Sequence, residues 1–164
     1  MRVGGLIAAL LLAAMSLSGC GSKGSNLPKP VLVTGTVTLD GKPLANATVY
    51  FRPEGDKMGT GSTGTTDANG KYELVTSFGN ETKPGAIPGK YRVWFSQMVG
   101  PDGQPVSVDS ATPPADLGAR EALPQHLSDA TQSDEKVQVS ESGGTIDFKL
   151  SKNKTRGVGG RMPR

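Results

Sequence analysis

The chain predicts an all-β fold, a single antiparallel β-sandwich of about seven short strands. Three observations carry this. Apolar and polar residues alternate in short runs, the period of a strand with one buried face. Clusters of Gly, Pro, Asp and Asn separate the runs. No long amphipathic helix is apparent between residues 31 and 150.

The first strand follows from Val31, Val33, Val37 and Leu39 on one parity, with Thr34, Thr36 and Thr38 on the other. Gly35 sits on the inward parity, where a close neighbour or a bulge needs a missing side chain. Asp40-Gly41-Lys42-Pro43 is turn chemistry. The next run, residues 47–52, points Ala47, Val49 and Phe51 inward, and Pro53 ends it. Residues 55–66 are rich in Gly and Thr and read as a loop with a weak edge strand. Asp67-Ala68-Asn69-Gly70 is a second turn: Asp67 and Asn69 suit bonding to the turn's own amides, and Gly70 suits a positive φ. It leads into a strand over 71–75 with Tyr72 and Leu74 inward. A third turn region over 84–90 feeds residues 91–96, with Tyr91, Val93 and Phe95 inward.

Residues 97–135 read as a long irregular segment, with a short helix over 115–122 after Pro113-Pro114. Strand character returns at 136–140 and at 145–150, where Ile146, Phe148 and Leu150 point inward. Gly143-Gly144 reads as the hairpin between these two.

Charge and composition divide the 164 residues unevenly. All eight aromatic residues lie between Tyr50 and Phe148, so the core belongs to residues 31–150. The last 14 residues hold five basic groups and no acid, whereas residues 3–151 carry 12 basic and 15 acidic groups. A basic tail over 151–164, with Gly157, Gly159 and Gly160, therefore follows a mildly acidic domain. Such a tail suits either a solvated, disordered terminus or contact with an anionic surface.

Cys20 is the one cysteine, so no disulfide within the chain supports the domain. It ends the run Leu17-Ser18-Gly19-Cys20, which follows Arg2 and an apolar stretch from Val3 to Met15. That stretch falls short of the ~20 residues needed to span a bilayer and fits the apolar region of a secretory signal. The whole resembles the lipobox of bacterial lipoproteins. The resemblance implies a signal peptide over 1–19, cleavage between Gly19 and Cys20, and acyl chains on Cys20. One chain would bind a membrane only reversibly, and two or three would hold it there. Residues 20–30 then form a lipidated tether rich in Ser, Gly, Pro and Lys. Gly21 stands where an aspartate would cue inner-membrane retention, so the expected address is the outer membrane. Export also argues against a nucleic-acid partner.

Three further segments resemble the carboxypeptidase regulatory-like domain, a small sandwich of transthyretin-like fold. They are Gly35 to Leu44 with Ala47-Thr48-Val49, Thr66 to Tyr72, and Pro88 to Val93. The closing Leu123-Pro124, Ser128-Asp129 and Thr145 to Leu150 resemble the end of short bacterial lipoproteins carrying this domain. Gln125, His126 and Leu127 depart from the lysine and tyrosine more usual there. The resemblance implies a structural or binding module with no chemistry of its own.

No residue pattern predicts a catalytic centre, a cofactor or a metal. His126 is the single histidine, expected exposed in a loop, and a triad needs a positioned base. Hydroxyisourate hydrolases of transthyretin-like fold use several histidines and a C-terminal tyrosine motif, which this chain does not have. Zinc and non-haem iron sites need more imidazoles or thiols than remain. Asp67-Ala68-Asn69-Gly70 has neither the alternating acids nor the distal glutamate of a calcium loop. The glycine-rich run 59–64 is not followed by the lysine and helix of a phosphate cradle.

One pair of residues points to binding. Tyr50 and Trp94 have the opposite parity from the core residues of their strands, so both point out of the sandwich. Two outward aromatics suit stacking on sugar rings, and Arg52 and Arg92 beside them suit carboxylates or phosphates. Alternatively, the 97–135 segment folds back and covers them. The expected function is thus a non-enzymatic, lipid-anchored envelope module that meets a protein or glycan partner. The alternative is a carbohydrate- or solute-binding lipoprotein using Tyr50 and Trp94.

Overall fold

The computed structural model describes residues 29–55, 61–106 and 112–153. The expected signal peptide, Cys20, most of the expected tether and the residues beyond Asn153 lie outside the described residues.

All but two of the strands form two facing layers. The larger layer contains β3 (Thr48–Pro53), β4 (Ser62–Thr65), β6 (Val75–Phe78), β7 (Glu81–Pro84), β8 (Gly89–Ser96) and β11 (Lys136–Val139). Its order is β11-β8-β3-β4-β6-β7, and every pair is antiparallel. The smaller layer is built around β1 (Val33–Leu39). On one side of β1 lie β2 (Lys42–Pro43) and β5 (Lys71–Glu73), both antiparallel to it. On the other lie β12 (Gly144–Thr145) and β13 (Phe148–Leu150), both parallel to it. The all-β sandwich is therefore as expected, with one parallel seam in the smaller layer.

Alternation decides which side chains fill the space between the layers. Val33 and Val37 of β1, Val49 and Phe51 of β3, and Val93 and Phe95 of β8 are all buried. Phe148 of β13 links the two layers. Its ring meets Phe95 edge-on at 5.0 Å and Phe51 edge-on at 6.1 Å. Edge-to-face contacts match the electropositive rim of one ring to the negative face of the other. Tyr72 completes this cluster from β5 and donates its hydroxyl to the Ile146 carbonyl at 2.7 Å.

Two turns behave as their residues dictate. Asp40 and Gly41 both have positive φ (49° and 80°), and Leu39 pairs with Lys42. This is the two-residue hairpin that asparagine, aspartate and glycine favour. In the second turn, Asp67 Oδ1 accepts bonds from the amides of Asn69 (2.8 Å) and Lys71 (2.9 Å).

Five details differ from the sequence expectation. β4 is not an edge strand; it lies between β3 and β6, because pairing on both sides compensates for its weak Ser-Thr-Gly-Thr sequence. The run over 71–75 is not one strand. It breaks at buried Leu74, where the chain leaves β1 for the larger layer. The β6–β7 hairpin was not predicted. Residues 115–122 do not form a helix: turns run to Gly118, and Arg120–Glu121 form β10, which pairs with β9 (Met98–Val99). The short helix is α1 (Gln125–Ser128), just after Pro124. Finally, Gly143-Gly144 is no hairpin. It carries the chain from β11 in one layer to β12 in the other, and Ile146-Asp147 interrupts the last strand.

The long segment is fastened rather than loose at its described ends. The Glu121 carboxylate accepts bonds from Ser96 Oγ (2.6 Å) and from the amides of Gln97 (2.9 Å) and Leu123 (3.0 Å). Leu123 and Leu127 are buried in the core, and α1 packs against β8. The start of the tail is also held, with Ser151 Oγ donating to Asp40 Oδ1 at 2.9 Å.

Candidate functional site

β3 and β8 are neighbours in the middle of the larger sheet, and their register sets Tyr50 directly opposite Trp94. Both have the outward parity expected, and both are half-buried. Their rings stack with centroids 5.1 Å apart and planes 6° from parallel. The two aromatics thus stack on each other and do not form one flat platform. One face of Tyr50 is taken by Trp94, and the other turns toward β4.

The same register sets Arg52 opposite Arg92. Arg92 lies 3.5 Å from the Glu54 carboxylate, and the same carboxylate oxygen binds Lys136 at 2.8 Å. The Lys136 hydrogen bond, aided by both positive charges, holds the Glu54 carboxyl below its usual range. Arg52 is exposed and has no ion-pair partner among the described residues. The two arginines therefore differ: Arg92 is engaged within the protein, and Arg52 is available.

Tyr50, Arg52 and Trp94 border a shallow depression of about 380 Å³ on the outer face of the sheet, and Arg92 does not. Its floor runs along β4 and the residue before it, where the outward residues are Gly61 and Thr63. Val75 and Ser77 of β6 stand on the far side. No described residue of the 97–135 segment borders it. Glu54, Lys136, Thr63, Val75 and Ser77 were not singled out in the sequence. Glu54 had a legible signal, since it continues the outward parity of Tyr50 and Arg52. The β6 residues had none, because the crossover at Leu74 is invisible to periodicity.

His126 differs from expectation. It sits half-buried on α1, and its Nε2 donates to the Ser151 carbonyl at 3.1 Å. That bond ties α1 to the residue after β13. Tyr72 has a structural role too: burial, and then the Asp147 charge, push its hydroxyl pKa up, so it stays a donor to Ile146. Among the described residues no three His, Cys, Asp or Glu side chains come together to hold a metal ion. Among them, too, no helix is long and apolar enough to cross a membrane. Cys20 and Gly19 lie outside the described residues.

No protein-family model matches the chain, and no curated protein matches it. Among solved structures it is similar to a 9R-lipoxygenase from Cyanothece PCC8801. The identity is 19% and the TM-score 0.33, over 79% of this chain and 18% of the lipoxygenase. A likeness at that score carries no argument about fold or activity.

Proposed function

We propose that this protein is a lipid-anchored, non-enzymatic module of the bacterial cell envelope, with a sandwich of carboxypeptidase regulatory-like type. The observation that carries the reading is Leu17-Ser18-Gly19-Cys20, with the sole cysteine directly after a short apolar run. Acyl chains on Cys20 hold the protein at a membrane, and the outer membrane is favoured by Gly21. Residues 21–30 span up to about 33 Å when extended, enough to hold the sandwich clear of the headgroups. The non-enzymatic part is supported by the engagement of His126 with a backbone carbonyl and of Tyr72 with another.

The anchor is tested by feeding cells a clickable fatty acid and comparing the natural chain with Cys20→Ala. Label on the natural chain alone supports the reading, and label retained by the variant refutes it.

A second reading, a carbohydrate-binding module, is favoured by a separate observation. Tyr50 and Trp94 stack on an outer sheet face, beside an arginine with no internal partner among the described residues.

A further inference from the structure

We propose that the trough along β4 binds a saccharide carrying a carboxylate, with Arg52 as the residue that selects the charge. The proposal deepens the carbohydrate reading and is independent of the lipid anchor.

The shape comes from the size of the side chains. Gly61 and Thr63 are small, so the floor is low between two taller walls. One wall is Tyr50, braced from behind by Trp94. The other is Val75, 36% exposed, with Ser77 beside it. The volume of about 380 Å³ falls within the range of small-molecule clefts.

The chemistry of the lining matches a sugar. The negative face of an aromatic ring attracts the electropositive C–H groups on one face of a pyranose. The hydroxyls of Thr63 and Ser77 each donate and accept, as sugar hydroxyls require. Stacking against Trp94 holds Tyr50 in place, so little ordering is left for a ligand to impose.

The charge selects an acidic sugar over a neutral one. Among the described residues, Arg52 is the one charged residue lining the trough. It lies directly opposite Arg92 in the register, and like charges so placed repel. The nearby acid, Glu54, is already shared between Arg92 and Lys136. A ligand carboxylate would meet the Arg52 guanidinium in the planar two-bond geometry that suits it and offset the repulsion.

The test uses the full-length protein in detergent micelles. Trp94 is the only tryptophan, so intrinsic fluorescence reports on the stack directly. Trimers of galacturonate and of mannuronate are titrated beside the methyl ester of the galacturonate trimer, with calorimetry in parallel. The expected result is saturable binding of an acidic trimer, weakened at least about tenfold by esterification or by Arg52→Gln. Arg52 is exposed, and an unchanged unfolding midpoint shows that the variant keeps the fold. Equal affinity for acid and ester, unaffected by Arg52→Gln, would overturn the carboxylate selection and leave the carbohydrate reading standing. No binding of any trimer by either method would overturn both.

Discussion

Gly35 lies so close to Ile146 that a Cβ on the glycine would overlap the Ile146 carbonyl oxygen. The Tyr72 ring also crowds this space, 2.8 Å from where that Cβ would stand. This contact is where β1, β5 and the break between β12 and β13 meet. Gly35→Ala must therefore move backbone, and overpacking of this kind costs about 1–3 kcal/mol or more. Urea unfolding checks it. Gly41→Ala, in open space at positive φ, is expected to cost less, about 1 kcal/mol.

Tyr72→Phe removes the donor to Ile146 and keeps the ring. The expected loss is about 1–2 kcal/mol, with the aromatic cluster intact. Phe148→Ala instead empties the centre of that cluster and is expected to cost about 3–5 kcal/mol. Thermal unfolding of the two variants should separate them clearly.

Thr76 is fully buried between Ser62 of β4 and the carbonyl of Gly85, with both bonds 2.7 Å long. Thr76→Val keeps the shape, leaves the Gly85 carbonyl without this donor and removes one partner of the Ser62 hydroxyl. Leaving buried polar groups unpaired costs about 1–3 kcal/mol each. Hydrogen exchange should show the loss first in β4 and β6, because those strands share this pair.

The pH dependence of stability has a definite sign. The folded Glu54 carboxyl titrates below its ordinary value of 4.5, chiefly through its hydrogen bond with Lys136. The unfolded chain therefore takes up that proton first, and the contribution is complete above 4.5 and lost as pH falls through the lowered folded value. Unfolding midpoints measured across that window should fall with acidification. Lys136→Met should flatten the slope there and slightly lower stability at neutral pH, where that contribution is complete, while leaving stability below the window nearly unchanged.

Local patterns were legible in the sequence, and long-range pairings were not. Val33, Val37, Phe51 and Phe95 announce buried faces by alternation, and Asp40-Gly41 announces its turn. The outward pair Tyr50 and Trp94 was readable by the same parity. That the two would stack on each other depends on strand register, which no local window contains. The seam between β1 and β13 joins residues more than 100 positions apart, and Gly143-Gly144 looks the same whether it closes a hairpin or crosses between layers. Strand β4 carries little β propensity of its own and owes its state to two neighbours. Residues 115–122 have helix-forming alanines, but their chain end is claimed by the β9–β10 pairing and by the bonds to Glu121.

The central claim is that Cys20 is the lipid-bearing first residue of the mature protein. The most direct measurement is the intact mass and fragmentation of the N-terminal peptide of protein purified from its own membranes. The account predicts a peptide that begins at Cys20, with residues 1–19 removed and acyl chains on that residue. A peptide that retains residues 1–19, or that carries an unmodified Cys20, would contradict it.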